Sequence, residues 1–188
     1  MANKHKIEYV KNEYYENKKP KAKIIIPEGY RLKENEAEIK VAELIEEEFG
    51  GTLELLLETN KIMRPDYKWN DSFWEFKFVS SKTSIDSQVR KGIKQIISNI
   101  GGLILNVDAC NMDMKNIINS IVDRIDRESI RTLKKIDVIL IRSGKILDII
   151  RYKKQSYLRT NHYGSMWITP TPTYYHKIRK KSNTPIAI

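Results

Sequence analysis

The sequence predicts a domain of the α/β or α+β class, in which helices flank a central mixed β-sheet. Three segments place apolar residues at helical spacing, and short apolar runs with strand character lie between them. Segments that alternate in this way are typical of layered folds with helices packed on a sheet. With 188 residues, of which 40% are hydrophobic, the chain is long enough for one domain with a substantial core.

The first half of the chain is predicted to contain one helix and up to two strands. Residues 1–23 are polar and are expected to be loose or partly helical, while the apolar run 23–27 suits an edge strand because a proline stops it. The apolar stripe over 34–49 predicts an amphipathic helix that ends at the two glycines after it. A strand is expected over 52–59, and 60–71 is expected to be a connector.

The second half is predicted from the same two patterns, with glycines at the turns. In chain order we expect a strand at 72–79, a helix at 85–100 that ends at Gly101 and Gly102, a buried strand at 103–108, a helix at 114–125, and a hairpin of strands 136–142 and 145–152 that turns at Ser143 and Gly144.

Several features exclude other classes of protein. The charged start of the chain lacks the apolar region of a signal peptide, and no apolar run approaches the roughly 20 residues of a membrane span. The single cysteine, Cys110, rules out an intramolecular disulfide and suits a reducing compartment. No Cys/His spacing typical of a zinc site is present. We therefore expect a cytoplasmic protein without membrane contact.

The net charge of +10 is unevenly distributed. Residues 1–23 contribute +4 and residues 151–188 contribute +8, which leaves about −2 between them. Basic ends suit a nucleic acid, because cations that neutralise phosphates release counterions, although solvated ends are the alternative. We divide the chain into a basic N-terminal extension at 1–30, a central domain at 31–150 and a basic aromatic C-terminal segment at 151–188.

That C-terminal segment alternates basic and aromatic residues, beginning with Arg151 and Tyr152. Cations interleaved with aromatic planes suit single-stranded or splayed bases, for which stacking contributes about 1–3 kcal/mol per base. The alternative is that the aromatic residues pack the segment onto the central domain.

The most informative stretch begins at Asp66, which follows a proline, and continues to Glu75 and Lys77 on a predicted strand. Residues two apart on a strand point to the same face, so Glu75 and Lys77 project together. The opposite side is expected to pack through Trp74, Phe76 and Phe78.

This residue set has the chemistry for cutting a phosphodiester. Mg²⁺ is typically bound by one or two carboxylates together with substrate phosphate and water. Asp66, Glu75 and the backbone carbonyl of Phe76 are therefore candidate ligands for Mg²⁺, with Mn²⁺ or Zn²⁺ as alternatives. Lys77 would orient or deprotonate a water molecule, or neutralise the scissile phosphate.

Each of these residues also has an ordinary interpretation. A Glu-x-Lys pair on a strand is commonly part of a solvated cross-strand ion pair, and an aspartate after a proline is commonly a turn residue. The order of elements around them favours the catalytic interpretation: a helix, a strand, a Pro-Asp connector, an aromatic strand with Glu-x-Lys, a helix and an apolar strand.

Pro65-Asp66 with Glu75-Phe76-Lys77 resembles the two motif halves of the PD-(D/E)xK nuclease superfamily, over about residues 34–110. The resemblance implies a restriction-endonuclease-like α-β-β-β-α-β core, in which a strand after Lys77 would be short or absent here. Residues 74–95, followed by the apolar strand at 103–108, look most like the C-terminal tRNA-nuclease toxin domains of bacterial contact-dependent growth inhibition proteins.

The resemblance implies a metal-dependent RNase acting on tRNA or other structured RNA, with an immunity protein as a partner. It also implies an acid from the first helix, for which Glu38 is the best match. Gln88, Lys91 and Gln95 share a helix face and, with Lys82, are candidate substrate-binding residues or an ordinary polar surface. A DNA endonuclease of a phage or mobile element, and a non-catalytic nucleic-acid-binding protein, are the alternatives.

Overall fold

A computed structural model of the chain describes residues 6–57, 64–96, 101–128 and 135–153, all within a unit that spans residues 1–156. Its helices are α1 (Lys11–Glu16), α2 (Glu36–Phe49), α3 (Lys82–Ile96) and α4 (Met114–Arg127). Its strands are β1 (Lys6–Tyr9), β2 (Lys21–Ile25), β3 (Gly51–Leu55), β4 (Tyr67–Trp69), β5 (Ser72–Phe78), β6 (Gly101–Asn106), β7 (Lys135–Arg142) and β8 (Lys145–Lys153).

The described strands form one mixed sheet, which confirms the predicted fold class. Their spatial order is β1-β8-β7-β6-β5-β4-β3-β2. Strands β5, β6 and β7 are mutually parallel, as are β2 and β3, and the other neighbours are antiparallel. Two clusters of buried apolar residues form the core. One joins helices α3 and α4 to the sheet, and the other joins helix α2 to the sheet.

These two clusters lie on opposite faces of the sheet. In β6, Leu103 and Leu105 belong to the cluster with α3 and α4, while Ile104 belongs to the cluster with α2. Because paired residues on neighbouring strands point to the same side, Glu75 and Lys77, which pair with Leu103 and Leu105, face α3. The sequence alternation in β5 thus directs the predicted acid and lysine to one side of a sheet that is covered on both sides.

Several predicted elements are confirmed: the amphipathic helix α2, strand β5, helix α4 and the β7–β8 hairpin. The hairpin turns at Ser143 and Gly144, with φ values of 52° and 67°. Two consecutive positive φ values match the twist of an antiparallel pair, and the glycine adopts its φ without steric cost. Parts of two other predicted elements, Glu58 and Thr59 of the strand and residues 97–100 of the helix, lie outside the described residues.

Two sequence expectations are wrong. The expected connector 60–71 contains strand β4, which lies between β3 and β5 in the sheet. The element order from α2 to β6 is consequently α-β-β-β-α-β, and the additional strand precedes Glu75 instead of following Lys77. Gly101 and Gly102 do not end a helix but begin β6. A Cβ atom on Gly101 would lie 1.6 Å from the carbonyl oxygen of Phe73, so close strand packing requires glycine there.

The N-terminal segment is more ordered than the sequence indicates. Strand β1 pairs antiparallel with β8 at one edge of the sheet. Strand β2, which overlaps the edge strand predicted over 23–27, pairs parallel with β3 at the other edge. Val10 and Tyr14 pack against the cluster with α2, which explains why a polar segment is held in place. Within the part of the chain that the structure describes, no helix has the length and hydropathy that a membrane crossing needs.

Candidate active site

Asp66 lies immediately before β4 and is buried, with 8% of its surface exposed. Strand β4 begins at Tyr67, which pairs with Trp74, so β4 is too short to pair with the next residues of β5. The side chain of Asp66 substitutes for the missing strand, because its Oδ2 accepts a hydrogen bond from the N–H of Phe76 at 2.7 Å. The structure therefore brings the two predicted motif halves together.

Glu75 and Lys77 form a buried ion pair on the α3 face of β5. The Glu75 side chain is fully buried and the Lys77 side chain is 21% exposed. The ammonium of Lys77 donates to Oε1 of Glu75. Oε2 of Glu75 is buried and has no hydrogen-bond partner among the described residues. An unsatisfied buried carboxylate oxygen is costly, and a bound ion or an ordered water is the usual way to satisfy it.

Electrostatic repulsion adds to the cost of ionising Glu75. The pKa of Glu75 is raised to about 8, first by burial and then by the negative charge of Asp66, and Lys77 only partly opposes these two effects. Glu38 makes a smaller contribution in the same direction. A site where carboxylates repel one another and one oxygen lacks a partner favours a bound cation.

Gly92 on α3 allows the helix to pack closely over Glu75, a role that the sequence analysis did not assign. A Cβ atom at this position would lie 2.7 Å from Cδ2 of Leu103 and 3.4 Å from Cγ of Glu75. The available signal was a glycine in the interior of an amphipathic helix, which costs about 1 kcal/mol relative to alanine and usually has a packing reason.

Glu38 lies in the first turn of α2, and two tyrosines contact it. The hydroxyl of Tyr30 donates to Oε2 of Glu38 at 2.5 Å, and the hydroxyl of Tyr67 donates to the Glu38 backbone carbonyl at 3.0 Å. Burial raises the pKa of both tyrosines, and nearby carboxylates, including Glu38 and Asp66, raise it further. Neither tyrosine was predicted as a site residue, because nothing in the sequence distinguishes them among the ten in the chain.

The predicted substrate-binding residues occupy different environments. Lys82 and Lys91 are exposed on α3, and Gln88 is half-buried. Nε2 of Gln95 donates to the backbone carbonyl of Arg64 at 3.3 Å, so Gln95 also ties α3 to the segment that carries Asp66. Of these residues, only Gln95 has a contact that reaches the motif.

Two further expectations are wrong. Phe78 is covered less than Trp74 and Phe76: its ring contacts that of Phe76 at 4.8 Å between centroids, but 56% of its surface is exposed. Its position at the end of β5, beyond the core, explains the exposure. Arg151 and Tyr152 are not part of a nucleic-acid-binding tail: they are buried in β8 and hydrogen-bonded to acidic side chains. The rest of the predicted tail, 154–188, lies outside the described residues.

The donor atoms at the motif fit a hard divalent cation only in part. In an extended strand the N–H and C=O of one residue point to the same side, so the Phe76 carbonyl lies on the side of Asp66. Two carboxylates and a carbonyl are the oxygen donors that Mg²⁺ prefers. However, within residues 6–57, 64–96, 101–128 and 135–153 no three His, Cys, Asp or Glu side chains converge closely enough to hold a metal ion.

Comparisons with known proteins add little to this description. No protein-family model matches the chain, and no curated protein matches it. Among solved structures, the chain is similar to one from a CdiA-CT/CdiI toxin and immunity complex of Burkholderia pseudomallei. The two are 19% identical, the match covers 70% of this chain and 95% of that chain, and the TM-score is 0.36. A likeness at this TM-score carries no conclusion about the activity of this chain.

Proposed function

We propose that this chain is a metal-dependent nuclease that hydrolyses phosphodiester bonds in structured RNA, with tRNA as the leading substrate class. The observation that carries the proposal is the buried Glu75–Lys77 pair beside Asp66. A carboxylate with an unsatisfied oxygen, a neighbouring carboxylate and a partly exposed ammonium are the groups that such a reaction requires. The α-β-β-β-α-β order around them supports the PD-(D/E)xK interpretation of the motif.

Asp66, Glu75 and the Phe76 carbonyl are the residues that would hold the cation. When bound, Mg²⁺ or Mn²⁺ lowers the pKa of a coordinated water and offsets charge on the phosphate. The hydrogen bond from the Phe76 N–H to Oδ2 holds the Asp66 carboxylate beside β5. The ammonium of Lys77 pairs with Oε1 of Glu75 and its side chain is 21% exposed, so it can reach and neutralise a phosphate oxygen.

The RNA substrate, the toxin-like role and an immunity protein as partner rest on the sequence resemblance over residues 74–108. Exposed Lys82 and Lys91 on α3 are consistent with a polyanionic substrate, because neither has an acidic partner among the described residues. A DNA substrate would use the same groups, and the choice between RNA and DNA is an outcome of the experiment.

The test is cleavage by the purified full-length chain. Total tRNA, supercoiled DNA and linear DNA are incubated separately with Mg²⁺, with Mn²⁺ and with EDTA. We expect metal-dependent cleavage of tRNA that falls at least about 100-fold in Glu75→Ala, because a ligand and the partner of Lys77 are lost together.

Glu54→Ala is the matched control, since Glu54 is a half-buried glutamate on β3, two strands away from the strand of Glu75 in the same sheet. Cleavage of DNA alone would replace the RNA proposal with the DNA one. Full activity in Glu75→Ala, or in wild type with EDTA, would refute the site. Tight binding of tRNA without any cleavage would favour a non-catalytic binding protein.

A further inference from the structure

Tyr30 is the residue outside the motif that contacts a candidate catalytic side chain most directly. It lies in the loop between β2 and α2 and is buried, with 9% of its surface exposed. Its hydroxyl donates to Oε2 of Glu38 at 2.5 Å. No other hydrogen bond from a side chain to the Glu38 carboxylate is found in the described part of the chain. One tyrosine therefore fixes one oxygen of Glu38.

The fixed carboxylate lies within the electrostatic reach of the motif. The negative charge of Glu38 acts on Glu75, that of Asp66 acts on Tyr30, and all three carboxylates act on Tyr67. Since these three carboxylates do not converge on one point, Glu38 acts beyond the direct ligands. A carboxylate in such an outer position orients ligands and water around a bound cation.

We propose that Tyr30 is a positioning residue, whose neutral hydroxyl holds Glu38 in the orientation that supports cation binding by Asp66 and Glu75. This proposal rests on the proposed function, because it assumes that the motif takes a divalent cation. A carboxylate has two oxygens and about four acceptor positions, so the Tyr30 bond holds Oε2 and restricts the rotamers of Glu38. Without it, Glu38 lies in the first turn of a helix and gains alternative rotamers in solvent.

The experiment compares Tyr30→Phe with Tyr67→Phe, which is its matched control. Both substitutions remove one hydroxyl that donates to Glu38, but Tyr67 donates to the backbone carbonyl, at 3.0 Å. Mn²⁺ affinity is measured by calorimetric titration of each full-length variant, and kcat and KM for tRNA are measured alongside. Tyr30→Phe is expected to weaken Mn²⁺ binding by about 10-fold and to lower kcat with little change in KM. Tyr67→Phe is expected to leave Mn²⁺ affinity within about twofold.

A double-mutant cycle separates positioning from general packing. If Tyr30 acts through Glu38, Tyr30→Phe in a Glu38→Ala background causes no further loss of Mn²⁺ affinity, because the carboxylate that it orients is absent. Additive losses, equal losses in the two Phe variants, or unchanged Mn²⁺ affinity in Tyr30→Phe would each overturn the proposal. Thermal melting of every variant verifies that the chain is folded.

Failure of this proposal is distinguishable from failure of the proposed function. If wild type binds Mn²⁺ and cuts tRNA while Tyr30→Phe behaves like wild type, only the role of Tyr30 is refuted. If wild type binds Mn²⁺ but cuts no nucleic acid, the nuclease proposal is refuted and the titrations still decide the role of Tyr30. Absence of Mn²⁺ binding by wild type would refute both.

Discussion

Two clusters of buried charge lie on opposite faces of the sheet, and they differ in how fully their hydrogen bonds are satisfied. On the face with α1 and α2, Arg151 pairs with both oxygens of Asp137 at 2.9 Å. Its remaining Nη1 donates to both oxygens of Glu13, and Tyr14 donates to Asp137 at 2.7 Å. This arrangement is a closed network of opposite charges.

On the α3 face, Glu75 has one ammonium partner, one oxygen without a partner, and the negative charge of Asp66 beside it. Buried charges that are fully paired stabilise one structure, whereas buried charges left in mutual repulsion cost stability and persist where they have a function. The difference fits a structural role for the first cluster and the proposed cation-binding role for the second.

The largest effect on stability is expected from the closed network. Asp137→Ala leaves the Arg151 guanidinium buried without its bidentate partner, and we expect the free energy of unfolding to fall by about 3–5 kcal/mol. Urea denaturation followed by circular dichroism measures the loss. Cleavage per folded molecule should remain near that of wild type, because Asp137 lies on the other face of the sheet.

Lys153→Met is the control for this prediction. Lys153 pairs with Glu8 at the β1 edge, where its side chain is 44% exposed. A solvated ion pair of this kind contributes about 0–1 kcal/mol. If Lys153→Met destabilises the fold as much as Asp137→Ala, the distinction between the closed network and a surface pair is lost.

The next effect concerns the pH dependence of stability. A folded-state pKa near 8 for Glu75 means that the folded chain binds a proton that the unfolded chain releases above the ordinary glutamate value of 4.5. The contribution of Glu75 to the free energy of unfolding is therefore fully present below pH 4.5 and is lost as the pH rises from 4.5 to 8. In Glu75→Gln this loss is absent. In EDTA, we expect the variant to become more stable than wild type by roughly 2–4 kcal/mol across that range.

Thermal or urea denaturation at pH 5 and pH 8.5 measures this difference. Glu54→Gln, which removes a carboxylate from β3, is the control. Its difference in stability from wild type is expected to be the same at the two pH values. A constant difference between wild type and Glu75→Gln at the two pH values would contradict the assignment of Glu75 as a destabilised carboxylate.

The smallest effect is expected at the contact between α3 and the site. Gly92→Ala gains about 1 kcal/mol in helix propensity and loses about 1–3 kcal/mol through the clash with buried Leu103, so the net destabilisation is about 1 kcal/mol. Cleavage should fall several-fold, because the helix must shift beside Glu75. Ser87→Ala, at an exposed position of α3, is the control. A Gly92→Ala variant with unchanged cleavage would show that the spacing of α3 and Glu75 is not critical.

The sequence was sufficient for the longer elements because their apolar periodicity reports burial directly. Helices α2 and α4 and strand β5 each have enough residues for the period to be recognised. Strand β4 has only Tyr67, Lys68 and Trp69, and it exists because β3 and β5 pair with it on either side. That stabilisation is tertiary, so local composition indicated a connector.

Within the site, only the relations between residues close together in the sequence could be predicted. The spacing of Glu75 and Lys77 implies a shared face, and a proline before Asp66 marks the other motif half. The contact between Tyr30 and Glu38 depends on the conformation of a loop, and the pairing of Arg151 with Asp137 depends on the register of a hairpin. Counting Arg151 as part of a basic tail was wrong because net charge contains no information about partners.

The positions of β1 and β2 have a consequence for folding. These two strands close the two edges of the sheet although fewer than a dozen residues separate them along the chain. Lys6 pairs with Lys153, so one edge cannot close until almost the whole described chain has been synthesised. Such distant pairing carries a large loop-closure entropy and slows folding. Until it forms, the outer edge of β8 stays unpaired and is able to pair with other chains, and the newly made protein is most prone to aggregation in that interval.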